Sequence, residues 1–260
     1  MRVFIVIGVI GAVALTYSGC GPGGSGGTSD YAMATAQGVA PLVIVDLEAR
    51  TVDYRASITD LETNPAYRSR QMVFRRLSTG TSVVFIAVFE VTQGQWQRLA
   101  GTTPWTAVDG GVCAPTAQAS DRPAYNLPHE AVVAALGLTL AGGLRLDLPS
   151  DAEWSAASVG TAAATAVARE SVVSIQRLAA GGGMDSSGPL AVGSRAANSR
   201  GLYDVLGNVW EWTKEGTAVR GGSWFDSVSQ CQPTARAGAS VGIDDAIDHA
   251  LVGARLVLRP

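Results

Sequence analysis

Beyond Pro41 the apolar residues fall into short β-branched runs, Leu42 to Asp46, Thr51 to Tyr54, Gln71 to Phe74 and Val83 to Phe89, each bounded by turn formers. Runs of this length and composition predict strands. Three helices are predicted from their starts. Thr92 with Gln95 and Ser150 with Glu153 fit the capping box, in which a hydroxyl and a longer polar side chain each satisfy an orphan amide of the first turn. Pro128 follows Asn126 at the head of PHEAVVAAL, where a missing N–H costs a helix nothing. From Ala156 to Ser199 the chain is rich in Ala, Gly and Ser without a clean period, and the final GARLVLR reads as a strand. No internal repeat is present. The expected fold class is α+β, with few helices and much irregular loop, in one domain over residues 41–260.

The first forty residues are of another kind. Arg2 supplies a positive start, Val3 to Leu15 an apolar or small run, and Tyr17, Ser18 and Gly19 precede Cys20. Spanning a bilayer takes about 20 apolar residues, so residues 1–19 read as an export signal. A small residue directly before a cysteine at the end of such a run resembles the bacterial lipoprotein box, with Tyr17 where Leu is usual; the alternative is a cleavable signal with an incidental cysteine. Cys20 is therefore the expected lipidation site, and the membrane a partner through that anchor. Residues 20–40, opening GPGGSGGTS after the cysteine, are expected to be a flexible tether. Gly21, rather than Asp, resembles outer-membrane sorting in diderm bacteria, which places the protein in the cell envelope, at the outer membrane, facing the periplasm or the surface.

Composition removes several function classes. With 47% hydrophobic and 16% charged residues the chain is neither disordered nor a charge-laced coiled coil. A net charge of −3 offers no basic face, so nucleic acid is not an expected partner. Two histidines and three cysteines are too few for a zinc ribbon, and no HExxH motif occurs. His129 is expected at a surface, at the head of its helix. His249 lies in IDDAIDHA, which reads as a solvated acidic loop or a weak surface metal site.

The segment GLYDVLGNVWEW (Gly201 to Trp212), followed closely by RGGSW (Arg220 to Trp224), pairs glycines, aromatics and carboxylates densely. Together with EVTQGQW (Glu90 to Trp96), DRPAYNLPHEAV (Asp121 to Val132), LRLDLPSDAEWSAAS (Leu144 to Ser158) and VGARLV (Val252 to Val257), it resembles the formylglycine-generating enzyme, or sulfatase-modifying factor, family. The blocks stand in the family's order. The resemblance implies a C-type-lectin-like variant fold with short twisted sheets, two or three helices, long loops and, usually, bound calcium. Hard oxygen donors suit that ion, and the family's site corresponds here to Asp204, Gly207, Val209 and Glu211. The alternative is that Asp204 and Glu211 cap turns or pair with Arg200 or Arg220. Along the alternating segment, Trp210 and Trp212 should point opposite to Val209 and Glu211.

Catalytic members carry two cysteines five residues apart after RGGS[FW]; their thiolates bind copper(I), which activates oxygen to convert a substrate cysteine to formylglycine. Here Asp226 stands at the first position and Cys231 at the second. One carboxylate and one thiol cannot replace two soft thiolates, so copper binding is not expected. Ser223 and Trp210 match other active-site positions, yet Ser223 also follows a Gly-Gly turn and Trp210 suits a core. In the related iron-dependent sulfoxide synthases an additional helical domain supplies histidines, and no such domain is expected here. Cys113 and Cys231 form either a disulfide or two buried thiols. The expected function is a binding or envelope-assembly module for a protein or glycan ligand, with Phe225 to Ala250, including Phe225, Asp226, Ser227, Gln230 and Gln232, as the recognition surface. The alternative is a formylglycine-generating oxidase or another protein-modifying enzyme of the family.

Overall fold

At the first hairpin, the carboxylate of Asp46 accepts the amides of Glu48 and Ala49 at 3.1 and 2.9 Å, and Arg50 takes the left-handed φ of 56° that closes the turn. Strands β1 (Leu42–Asp46) and β2 (Thr51–Arg55) thereby pair with Val45 opposite Val52. The computed structural model describes residues 28–37, 40–80, 82–107, 119–162, 166–168, 188–237 and 251–260. Within them β3 (Gln71–Ser78), β4 (Val83–Ala87), β5 (Arg145–Asp147) and, near the C-terminus, β10 (Val257–Arg259) complete an antiparallel sheet in the order β2-β1-β3-β4-β10-β5.

Both faces of this sheet are covered. Val43, Val45, Met72, Phe74, Phe85 and Leu258 enter one core, while Leu42, Val73, Leu77, Val84, Ile86 and Val257 enter the other. Side chains alternate between faces along a strand, so a strand buried on both sides has no polar alternate positions. That is why the runs Leu42 to Val45 and Val83 to Ala87 are continuously apolar, whereas the edge strand β2 alternates, with Thr51 and Arg55 exposed.

The three helices expected from their starts form as α2 (Gln93–Ala100), α3 (His129–Ala135) and α4 (Asp151–Ser158). Thr92 and Ser150 each close a reciprocal capping box, with Gln95 and Glu153. Helix α4 buries Trp154 and Ala157 in the second core. Four very short strands, β6 (Trp210–Trp212), β7 (Val219–Arg220), β8 (Arg236–Ala237) and β9 (Val252–Gly253), make a second sheet ordered β8-β7-β6-β9, in which β6 and β9 are parallel. The α+β class is as expected. Strands of two or three residues carry no readable period, and the sequence does not announce them.

The expected tether needs correction. Residues Thr28–Gln37 form a helix, α1, that docks on the main sheet instead of trailing as part of a linker over 20–40. Tyr31 and Ala34, one turn apart, are buried in the first core; the Tyr31 ring meets Phe85 edge-on at 5.6 Å and its hydroxyl donates to the Leu258 carbonyl at 2.9 Å. Ala32, Met33, Ala34 and Ala36 are strong helix formers, so a two-residue apolar stripe suffices once the sheet offers it a surface. No helix among the described residues is long and apolar enough to cross a membrane. Cys20 and its surroundings lie outside the described residues.

Tyr31 should behave as the pin of α1. Tyr31→Phe is expected to cost about 1 kcal/mol, the net worth of one hydrogen bond, and Tyr31→Ala about 3 kcal/mol through the cavity it leaves. Urea unfolding followed by tryptophan fluorescence measures both.

Candidate functional site

The densest chemistry lies between the two sheets, around Arg255. Its guanidinium is fully buried and spends its donors on Glu211 (Nε to Oε1 3.0 Å, Nη2 to Oε1 2.7 Å), on the carbonyls of Ala87 and Val88 (3.1 and 3.0 Å) and on that of Tyr203 (2.7 Å). The other Glu211 oxygen accepts the indole N–H of Trp154 at 2.7 Å. Glu211 sits on β6 facing away from Trp212, whose own indole N–H reaches the Leu127 carbonyl at 2.7 Å. The expected alternation thus holds for Trp210, Glu211 and Trp212. It fails for Val209, which joins Trp212 in the first core because the chain is still turning there.

Two further carboxylates share this interior. Glu90 accepts the side-chain amide of Asn208 at 2.5 Å and the amide of Val209 at 3.1 Å. Asp204 accepts the amide of Gly193 at 2.6 Å through Oδ2, while its buried Oδ1 has no partner. Three buried acids thus face one buried guanidinium. Desolvation, and then the charges of Asp204 and Glu211, push Glu90 well above the usual carboxylate range. Desolvation also lifts Asp204, to about 6, against the opposing help of the Gly193 amide and Arg255.

This arrangement accounts for the GLYDVLGNV segment. Asp204, Gly207 and Asn208 all have positive φ, of 55°, 79° and 60°, so the chain turns repeatedly between Tyr203 and Val209. A Cβ on Gly207 would lie 2.2 Å from the Val167 carbonyl oxygen, so no other residue fits.

Of the four positions expected to bind calcium, Asp204 and Glu211 lie in this buried cluster, and Gly207 and Val209 lie on the chain between them. Glu211 is bonded to Arg255 and Trp154, and Asp204 to the Gly193 amide. Neither Arg200 nor Arg220 is the partner. Arg220 instead pairs with Asp151 and lies 4.4 Å over the Trp154 ring. Among the described residues no group of three or more His, Cys, Asp and Glu side chains is placed to hold a metal. The residues missed in the sequence are Arg255, Glu90, Trp154 and Asn208. One signal was present, a lone arginine between Ala254 and Leu256 in an apolar run.

The RGGSW segment and the turn from Phe225 to Cys231 form a second, smaller cluster. The Asp226 carboxylate accepts both the amide (2.9 Å) and the hydroxyl (2.6 Å) of Ser223, and the Ser223 hydroxyl accepts the Phe225 amide at 3.2 Å. Cys231 is wholly buried, its Sγ 3.5 Å from the Ser223 carbonyl oxygen. Gly222 has φ 87°, and a Cβ there would sit 2.7 Å from that sulfur. The structure therefore brings Ser223, Asp226 and Cys231 together, with the carboxylate serving as a cap for the turn. Ser223 is itself fully buried. This donor set does not fit copper(I): it offers one thiol packed against backbone and one hard carboxylate already bonded.

Of the expected recognition surface, Gln230 is exposed, and Phe225, Asp226, Ser227 and Gln232 are half-buried. Ser227 bonds Gln230 at 2.8 Å, Gln232 reaches the Val228 carbonyl at 3.1 Å, and the Phe225 ring meets Trp224 edge-on at 5.6 Å. Residues 238–250, His249 and Cys113 lie outside the described residues. His129, expected at a surface, is half-buried against Trp212, with ring centroids 5.3 Å apart. The loop at Gly216 closes over it.

Residues 78–260 match the family model described as "Sulfatase-modifying factor enzyme 1-like domain". No curated protein matches the chain. Among solved structures, it is similar to Treponema denticola variable protein 1, with 19% identity and a TM-score of 0.48 over 73% of this chain and 96% of that one. It is similar also to PvdO from Pseudomonas aeruginosa, with 17% identity and a TM-score of 0.48 over 74% and 84% of the two chains. With CarF it shares 21% identity and a TM-score of 0.43 over 85% and 98%.

Two outcomes are expected of changes at the Arg255 centre. Arg255→Met leaves Glu211 buried without its cation and is expected to cost about 3–5 kcal/mol in denaturant unfolding. Asp204 binds its proton more tightly folded than unfolded, since its value rises from 3.8 to about 6. Its contribution is therefore fully present below pH 3.8 and is lost as pH rises through about 6, a fall on the order of 3 kcal/mol. Asp204→Asn, which tolerates the left-handed φ, should flatten the stability profile between pH 4 and 7 relative to the wild type.

Proposed function

Because the chain belongs to the sulfatase-modifying factor enzyme 1-like (FGE-sulfatase) family, and because Asp226 takes the place of the first copper thiolate, we propose that it is a non-catalytic member acting as a binding or envelope-assembly module. The observation that carries this reading is the Asp226 carboxylate on the Ser223 amide and hydroxyl. A group that holds the turn in this way leaves Cys231 without a second soft donor. Asp226 thus shapes a loop that, in catalytic relatives, carries a metal site.

In this reading the protein is an exported lipoprotein, acylated at Cys20 and held at the outer membrane facing the periplasm or the surface. Several acyl chains, at about 0.8 kcal/mol per buried CH₂, anchor it stably. The surface made by Phe225, Asp226, Ser227, Gln230 and Gln232, on a loop pinned by its own side chains, meets a protein or glycan ligand. A pinned polar loop on a rigid scaffold loses little entropy on binding, which favours recognition.

Two experiments test the proposal. The reduced domain, supplied with copper, oxygen and a sulfatase-type cysteine peptide, should give no aldehyde product by mass spectrometry beyond a Cys231→Ala control; turnover above that control overturns the non-catalytic reading. Cys20→Ser should move the protein from the membrane fraction to the soluble fraction. If it stays with the membrane, the anchor has been misassigned.

A further inference from the structure

Helix α1 decides where the N-terminal chain leaves the domain. Its first residue, Thr28, is exposed and sits beside the glycine turn that precedes β5: a Cβ on Gly143 would lie 4.0 Å from Thr28 Cγ2. That turn is itself tied to the first hairpin, because the Ala141 amide donates to the Arg50 carbonyl at 2.9 Å. From Thr28 the helix passes over the main sheet, with the Tyr31 ring on Phe85 of β4 and its hydroxyl on the Leu258 carbonyl of β10. Beyond the far end of α1, the Pro41 carbonyl accepts the Arg76 amide of β3 at 2.8 Å. Ten helical residues cover about 15 Å. Docking of α1 thus shifts the exit point of the chain from Pro41, beside β3, to the side of Gly143 and the β1–β2 turn.

The consequence is one of length. With α1 docked, the stretch from Cys20 to Thr28 spans at most about 28 Å, whatever path it takes. With α1 released, the stretch from Cys20 to Pro41 spans up to about 73 Å. A compact domain the size of residues 41–260 is about 44 Å across. The docked reach is shorter than that width, and the released reach is longer. A domain on the short reach cannot turn its far pole towards the plane in which Cys20 is held, whereas on the long reach any side can meet that plane. Docking therefore selects a face, and it depends on Tyr31 with Ala34 one turn on, both buried against the sheet.

We infer that α1 is an orienting strap, which holds the domain close to a lipid surface with its Gly143 and Arg50 side inward. The inference rests on the reading of Cys20 as an acylated anchor. The exposed residues of this side include Glu48, Ala49, Arg50, Gly142 and Gly143. They are charged or small, which suits a face that approaches lipid headgroups without inserting, since insertion draws on large apolar side chains.

The strap is tested first without the anchor. In a Cys20→Ser chain, spin labels on ketone-bearing residues at positions 28 and 49 should give one narrow distance in pulsed dipolar spectroscopy. Tyr31→Ala removes the main contact, and Ala34→Glu sets a charge against the sheet. Each should spread that distribution to longer distances while tryptophan emission stays as in the parent chain. The acylated chain, with a donor dye at position 49, is then reconstituted in phosphatidylethanolamine and phosphatidylglycerol vesicles that carry acceptor dye on their headgroups. Energy transfer should be high and should fall in both variants. A broad 28–49 distribution in the parent chain, or energy transfer that both variants leave unchanged, would overturn the inference. If the Cys20→Ser chain still floats with the vesicles, the anchor is wrong and the orientation falls with it, whereas a narrow 28–49 distance then shows that the docking itself stands.

Discussion

A single guanidinium joins the two halves of this fold. Arg255 follows β9 of the second sheet and precedes β10 of the first, and its donors reach β4 and the residue after it, the Tyr203 turn and Glu211 of β6. In a buried position each of those donors must be satisfied, because an unpaired charge in the interior costs several kcal/mol. The Ala87, Val88 and Tyr203 carbonyls, the Glu211 carboxylate and the Trp154 indole are therefore fixed relative to one another. Geometry at the sheet-to-sheet joint follows from the requirement to solvate one cation with protein atoms.

The electrostatic balance of that joint extends to Glu90 and Asp204. One guanidinium cannot neutralise three carboxylates, so the raised values of Glu90 and Asp204 express a surplus of buried negative charge. Packing favours the arrangement all the same. Asn208 links Glu90 to the Leu190 amide, and Asp204 holds Gly193, so each acid positions a loop of the 188–194 stretch. The same stretch is fastened to Arg68, which donates to the Val192 carbonyl at 3.1 Å. The buried polar centre and the 3₁₀ turn Pro65–Arg68 are thus parts of one hydrogen-bonded unit.

The Ser223, Asp226 and Cys231 cluster shows how the loop after the RGGSW segment is held. The Gly221-Gly222 turn, the buried Ser223 and the buried sulfur keep the loop in shape, and Asp226 closes the turn through two hydrogen bonds at one oxygen. A carboxylate is a better cap for backbone N–H and hydroxyl groups than a thiol would be, and a poorer ligand for a soft metal. Asp226 thus both caps the turn and stands as a hard oxygen donor, not a soft one, beside the buried Cys231.

What the sequence determined by itself is what local chemistry controls. Strands β1 to β4, and the starts of α2, α3 and α4, were legible because apolar run length and capping side chains act within a few residues. The family resemblance was legible for the same reason, through contiguous motifs. Helix α1 was not legible, since its Tyr31 and Ala34 stripe gains meaning only against Phe85 and Leu258, more than fifty and two hundred residues away. Nor could spacing reveal that Glu211 pairs with Arg255, 44 residues on, and not with the nearer Arg200 or Arg220. A carboxylate advertises only that it needs a positive partner or a donor. Which one it receives depends on what the folded chain places within 3 Å and out of water, and only tertiary structure decides that.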